Sequence, residues 1–229
     1  MTHERFLFVN FKAYLEASHT RALDLVKAME DVQETHEKIT LIPVVQALDL
    51  AWLQDKTSLP LWGQHADSIQ PGAFTGHVLP EALKIAGATG TLVNHAERKV
   101  DNAVLERTMA RCREATLLIQ ACAETVERAI QIASMPVQPN FIAFEPPELI
   151  GGTVSVSSAQ PEIVQRFVEK VRERSPNTIP ICGAGVKNAQ DVAKALELGT
   201  QGILVASGVV KAPNQKEALE ELCKGFGQR

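Results

Sequence analysis

The chain has 229 residues, 45% hydrophobic and 22% charged, values of a folded globular protein that exclude a disordered or fibrous role. A net charge of -4 without a Lys/Arg cluster argues against a nucleic-acid surface, because a phosphate backbone demands concentrated cations. The four cysteines, Cys112, Cys122, Cys182 and Cys223, lie far apart with no CxxC pair, so buried reduced thiols are expected rather than a zinc knuckle or a disulfide framework.

Met1-Thr-His-Glu-Arg leads straight into an apolar run, which predicts neither a signal peptide nor a membrane span and a cytoplasmic location. Eight short apolar runs then alternate with amphipathic stretches: Phe6 to Val9, Thr40 to Val44, Leu59 to Gly63, Gly90 to Asn94, Thr116 to Gln120, Phe141 to Phe144, Ile179 to Cys182 and Gly202 to Val205. Most lack polar alternation, as strands buried on both faces do. The stretch Glu162 to Arg174 repeats Ile163, Val164, Phe167, Val168 and Val171 at helical spacing behind Pro161. Ala189 to Leu198 does the same, with Asn188 as an expected N-cap and Gly199 at the C-terminal stop. Alternating strands and helices without a Pro/Ser-rich linker predict one closed (β/α)8 barrel of class α/β, a single domain over residues 1–229.

In such a barrel the chemistry gathers at the C-terminal ends of the strands. The first strand ends in Asn10-Phe11-Lys12, whose amide and ammonium point the same way if the chain stays extended. The fourth ends in Asn94-His95-Ala96-Glu97-Arg98; a helix beginning there would lower the His95 pKa and favour a neutral, hydrogen-bond-donating ring. The sixth delivers Glu145, a candidate base, into a segment stiffened by Pro146 and Pro147 and closed by Gly151 and Gly152, which predicts a hinged lid. Gly183-Ala184-Gly185 and Ala206-Ser207-Gly208, after strands seven and eight, predict backbone N–H groups aimed at an anion. Taken singly, each has a plainer explanation: a solvated lysine, a backbone-bonded histidine, a salt-bridged strand-end acid, a tight turn.

In this order the segments Val9-Asn10-Phe11-Lys12, Gly72-Ala73-Phe74-Thr75-Gly76, Asn94-His95-Ala96-Glu97-Arg98, Phe144-Glu145-Pro146-Pro147-Glu148-Leu149-Ile150-Gly151, Cys182-Gly183-Ala184-Gly185-Val186 and Leu204-Val205-Ala206-Ser207-Gly208 resemble the triosephosphate isomerase family in its short archaeal form. The likeness spans nearly the whole chain and implies a TIM barrel that interconverts dihydroxyacetone phosphate and D-glyceraldehyde 3-phosphate through an enediolate. It assigns Glu145 as base, His95 as neutral electrophile, Lys12 as counter-charge and Asn10 as an orienting group, with Glu97 pairing with Lys12. Asn10, Phe11 and Lys12 would contact substrate, and Ile150, Gly151, Gly185, Ala206 and Ser207 would surround the phosphate. No metal or other cofactor is implied. The loop Gly72 to Gly76 would reach into a neighbouring subunit, giving a homo-oligomer, a tetramer ahead of a dimer.

The sequence departs from longer family members at Ala96 for Ser, at Gly185 for Ser, at Ala206-Ser207 for Gly-Gly, and in a lid carrying Pro147, Glu148 and Gly152 instead of Trp and Thr. A barrel that binds sugar phosphates without turnover is the alternative; retention of Asn10, Lys12, His95, Glu97 and Glu145 favours catalysis, since a binder needs no base.

Overall fold

A computed structural model describes residues 4–146 and 155–227. The expected lid, with Ile150 and Gly151, falls outside the described residues.

Eight parallel strands close in sequence order, β1 (Arg5–Asn10), β2 (Ile39–Val45), β3 (Trp62–Gly63), β4 (Gly90–Val93), β5 (Leu118–Ala123), β6 (Phe141–Phe144), β7 (Ile179–Cys182) and β8 (Gly202–Val205). Phe8 of β1 pairs with both Ile42 of β2 and Leu204 of β8, which joins the two edges of the sheet. The helices between them are α1 (Thr20–Thr35), α2 (Ala47–Leu53), α3 (Pro80–Ile85), α4 (Asn102–Glu114), α5 (Val126–Ala133), α6 (Val156–Ala159), α7 (Pro161–Arg174), α8 (Ala189–Glu197), α9 (Ser207–Val210) and α10 (Gln215–Lys224).

The strands read as unbroken apolar runs because both faces are covered. Inside the barrel, Phe6, Phe8, Trp62 and Phe141 meet edge to face, with Phe8 centroids 5.2 Å from both Trp62 and Phe141 and interplanar angles of 74°. Such pairs add about 0.5–1.5 kcal/mol each beyond area burial. Four rings fit only because neighbours are small: a Cβ on Gly90, the partner of Trp62 across β3 and β4, would lie 2.4 Å from the indole. The alternate residues, including Leu7, Val9, Val93, Ile142 and Ile203, face outward into a second core with Leu25, Met29, Leu105, Phe167 and Leu222 from the helices.

β1 and β2 each run one residue further at both ends than the sequence reading, and three more strands differ from it. β3 starts at Trp62 rather than Leu59, since Pro60 has no N–H to offer a ladder. β4 stops at Val93 because Asn94 turns to φ 57°. β5 runs Leu118 to Ala123 rather than Thr116 to Gln120: Thr116 adopts φ 57° and, with the Leu117 N–H donating to the Cys112 carbonyl at 2.9 Å, closes the end of α4. The helix ends around α8 follow expectation. Asn188 Oδ1 accepts the Asp191 N–H at 2.9 Å, a cap of about 1 kcal/mol, and Gly199 takes φ 97° after the last turn.

The cysteines are free and buried, and burial pushes the thiols of Cys112, Cys182 and Cys223 up to about 12. No helix among the described residues is long and apolar enough to cross a membrane.

Candidate active site

The C-terminal ends of β1, β4, β6, β7 and β8 converge on a cavity of about 240 Å³. Pockets for drug-sized ligands run to roughly 300–1,000 Å³, so the occupant must be small. Asn10, Lys12, His95, Glu97, Glu145, Gly185, Ala206 and Ser207 all line it. Phe11 does not, because its side chain points the other way and is wholly buried in the outer core.

β1 ends at Asn10 and the chain then turns sharply. Lys12 takes a left-handed conformation, φ 47°, and its backbone N–H donates to Asn10 Oδ1 at 3.0 Å. The extended Asn10/Lys12 pair expected from the sequence is therefore replaced by an Asx-type turn, in which the amide that would have pointed beside the lysine holds its backbone instead. Gln64, just past β3, donates from Nε2 to the Lys12 carbonyl at 2.9 Å and braces the turn. Lys12 Nζ donates to Glu97 Oε1 at 2.7 Å. The Glu97 side chain is 60% exposed, so the pair contributes only about 0–1 kcal/mol, and an anionic ligand can take over the ammonium at small cost.

His95 follows the left-handed Asn94, whose side chain is fully engaged. Asn94 Nδ2 donates to the Cys122 carbonyl at 2.8 Å, and Oδ1 accepts the Val100 N–H at 3.1 Å. The expected helix start at His95 is absent. Residues 96–98 form a turn, and α4 begins only at Asn102, capped by Asp101 Oδ1 accepting the Val104 N–H at 2.8 Å.

The electrostatics at His95 change accordingly. Burial disfavours imidazolium, but the Glu145 carboxylate, its Oε1 3.6 Å from Nε2, outweighs burial and holds the His95 pKa above its ordinary value. The other ring nitrogen is committed: the Glu97 N–H donates to Nδ1 at 3.2 Å, so in the neutral ring the proton resides on Nε2, facing the cavity.

Glu145 leaves β6 with its N–H bonded to the Ala123 carbonyl at 2.9 Å. Its side chain is buried, and Oε2 has no hydrogen-bond partner among the described residues. A carboxylate with a free oxygen beside a ring that donates from Nε2 forms a proton acceptor and a hydrogen-bond donor on one small cavity. Together they can take a proton from carbon and stabilise the oxyanion that forms.

Opposite lie the segments expected from the sequence to cradle an anion. Gly185 has φ 72°, Ala206 precedes α9, and the first N–H groups of that turn have no intrahelical acceptor. Gly208 has nothing within 4 Å of where a side chain would start, so the cradle is open. Three contributors escaped the sequence reading: Tyr14, Lys187 and the steric part played by Gly183. Lys187 had a signal, being a cation two residues past Gly185 of the glycine loop.

Among the described residues no group of three His, Cys, Asp or Glu side chains could hold a metal ion. The sequence model of the family described as triosephosphate isomerase matches residues 5–225. The chain is 41% identical to the triosephosphate isomerase of Methanothermus fervidus over 216 residues, 94% of this chain and 96% of that protein. It is 39% identical to that of Methanocaldococcus jannaschii over 218 residues, 95% and 98% of the two. It is 41% identical to that of Archaeoglobus fulgidus over 216 residues, 94% and 96%. A crystal structure of triosephosphate isomerase from Bartonella henselae superposes with a TM-score of 0.73 at 19% identity, covering 95% of this chain and 98% of that one, a likeness of fold.

Proposed function

The chain belongs to the triosephosphate isomerase family, whose members interconvert triose phosphates, and on that premise we propose that Glu145 and His95 carry the proton transfers through an enediolate. The observation that bears most weight is that Glu145, one of whose oxygens has no partner among the described residues, lines the same small cavity as a ring whose Nδ1 already accepts the Glu97 N–H.

The phosphate of dihydroxyacetone phosphate or D-glyceraldehyde 3-phosphate enters the cradle of Gly185, Ala206 and Ser207, with Gly151 and Ile150 approaching from the lid. Lys12 leaves Glu97 for the substrate's negative charge, and Asn10 orients the substrate oxygens. Glu145 removes a proton from one carbon, His95 donates from Nε2 to the carbonyl oxygen, and the same carboxylate returns the proton to the neighbouring carbon. The charge developing on oxygen meets donors already in place, which is where most of the acceleration arises. A lid over 147–152 excludes water and protects the enediolate from loss of phosphate. The reaction is complete with one carboxylate, one imidazole and one cation, so no cofactor takes part, and the protein acts in the cytoplasm.

We also propose a homo-oligomer, a tetramer ahead of a dimer. The loop Gly72 to Gly76 is exposed throughout, with Phe74 at its tip, and a second cavity of about 340 Å³ beside Lys12, lined by Leu48, Gly76 and Glu97, is a place for a neighbour's loop.

The deciding experiment is a coupled assay on D-glyceraldehyde 3-phosphate with wild type and Glu145→Gln. Wild type turns over, and the variant loses at least about 10³-fold in kcat while still binding a phosphate-bearing enediolate analogue. Wild-type protein without activity above background sinks the isomerase reading in favour of a binding barrel.

A further inference from the structure

The cradle loop is tied to a distant segment through one carboxylate. Asp191, in the first turn of α8, spends both oxygens on different partners: Oδ2 accepts the backbone N–H of Lys187 at 3.0 Å, and Oδ1 accepts the hydroxyls of Ser155 at 2.8 Å and Ser158 at 3.3 Å. Its own carbonyl accepts the Ser157 hydroxyl at 3.2 Å, and its N–H donates to Asn188. Ser155 and Ser157 are buried, so their bonds to Asp191 are shielded from competing water, whereas Lys187 and Ser158 are exposed.

We propose that Asp191 is a positioning residue that sets the affinity for the phosphate end of the substrate; this rests on the isomerase reading. Gly185, Val186 and Lys187 line the cavity, and Ser155 and α6 follow, in the sequence, the segment 147–152 proposed above as a lid. One side chain therefore ties the cavity-lining stretch 185–187 to Ser155 and Ser158, although more than thirty residues of sequence part Ser155 from Asp191. A carboxylate suits the place because every group it meets through its side chain is a donor; an amide would turn an N–H toward one of them. Among the described residues Asp191 makes no hydrogen bond or ion pair to Glu145 or His95, so its effect falls on binding rather than on proton transfer.

The test compares wild type, Asp191→Asn and Ser155→Ala in three measurements: affinity for inorganic phosphate by calorimetry, kcat and KM on D-glyceraldehyde 3-phosphate, and turnover of glyceraldehyde lacking the phosphate. Phosphate affinity should weaken about tenfold in Asp191→Asn and about threefold in Ser155→Ala, with KM rising in step. Both kcat and the rate on unphosphorylated glyceraldehyde should stay within about twofold of wild type, an asymmetry that general loosening of the fold would not produce. Unchanged phosphate affinity, or equal losses on both substrates, overturns the proposal. Should Asp191→Asn fail to fold by circular dichroism, Ser155→Ala decides alone. If wild type does not turn over the phosphorylated triose, the isomerase reading falls, while the phosphate affinities still decide the part played by Asp191.

Discussion

A Cβ on Gly183 would stand 2.4 Å from Cγ of Glu145 and 3.1 Å from its carboxyl carbon, so the bare backbone at the end of β7 is what gives the carboxylate its room. Both obstructing atoms belong to a side chain that is itself packed, and it cannot yield without leaving the position beside His95. Gly183→Ala is expected to lower kcat by about 10²-fold, through displacement of the base. Overpacking should also cost about 1–3 kcal/mol of stability, read from the denaturation midpoint. Near-normal kcat in the folded variant would show that Glu145 reaches its working position by another route.

The contact between Glu145 and His95 sets a pH dependence with a definite sign. Because the pair raises the folded-state pKa of His95, its contribution to stability is complete below the unfolded value near 6.5 and fades as pH rises through the higher folded value. The stability gap between wild type and His95→Gln should therefore be larger at about pH 5.5 than at about pH 8.5. An NMR titration of ligand-free protein should place the imidazole midpoint above 6.5. The proposed reaction uses neutral His95, so kcat/KM should fall as pH drops through that midpoint. A midpoint below the ordinary imidazole value would contradict the electrostatics described.

Gln120 presents the opposite case, a polar side chain with nothing to do. It projects from β5 on the same side as Cys122, wholly buried, and neither of its amide atoms has a hydrogen-bond partner among the described residues. An unsatisfied buried amide costs about 1–3 kcal/mol, which an apolar residue of similar volume would recover. Gln120→Leu is predicted to raise Tm by about 2–6 °C with kcat/KM unchanged. A fall in Tm would mean that the amide is solvated inside the barrel.

Phe74 tests the assembly. Its ring is 44% exposed at the tip of a loop whose base is pinned, since Asp67 Oδ2 accepts the Val78 N–H at 2.6 Å and Arg111 Nε donates to the Ile69 carbonyl at 3.0 Å. An apolar tip on a rigid base is suited to insertion into a neighbour, because little ordering entropy is lost on docking. Sedimentation velocity should find wild type as a tetramer or dimer and Phe74→Asp shifted to monomer with reduced turnover. A monomeric wild type would remove the proposed assembly.

Much of this was legible in the chain. The (β/α)8 barrel followed from eight apolar runs separated by helical patterns, because strands buried on both faces leave no alternation to misread. Glu145, Lys12 and His95 were visible as polar residues at strand ends, and Asn188 and Gly199 as stops around α8. Local chemistry dictated these features, and local chemistry is what residue order records.

Tertiary structure decided the rest. No spacing rule told that Lys12 would turn to φ 47° and take Asn10 Oδ1 onto its backbone, or that α4 would wait until Asn102 and leave His95 to be tuned by Glu145 instead of a helix end. Nor could the sequence pair Gly183 with Glu145, or Asp191 with Ser155, since those contacts join segments that meet only when the barrel closes. The residue types that can do the chemistry were written in the chain; which of them touch, and with what charge between them, was settled by closure of the sheet.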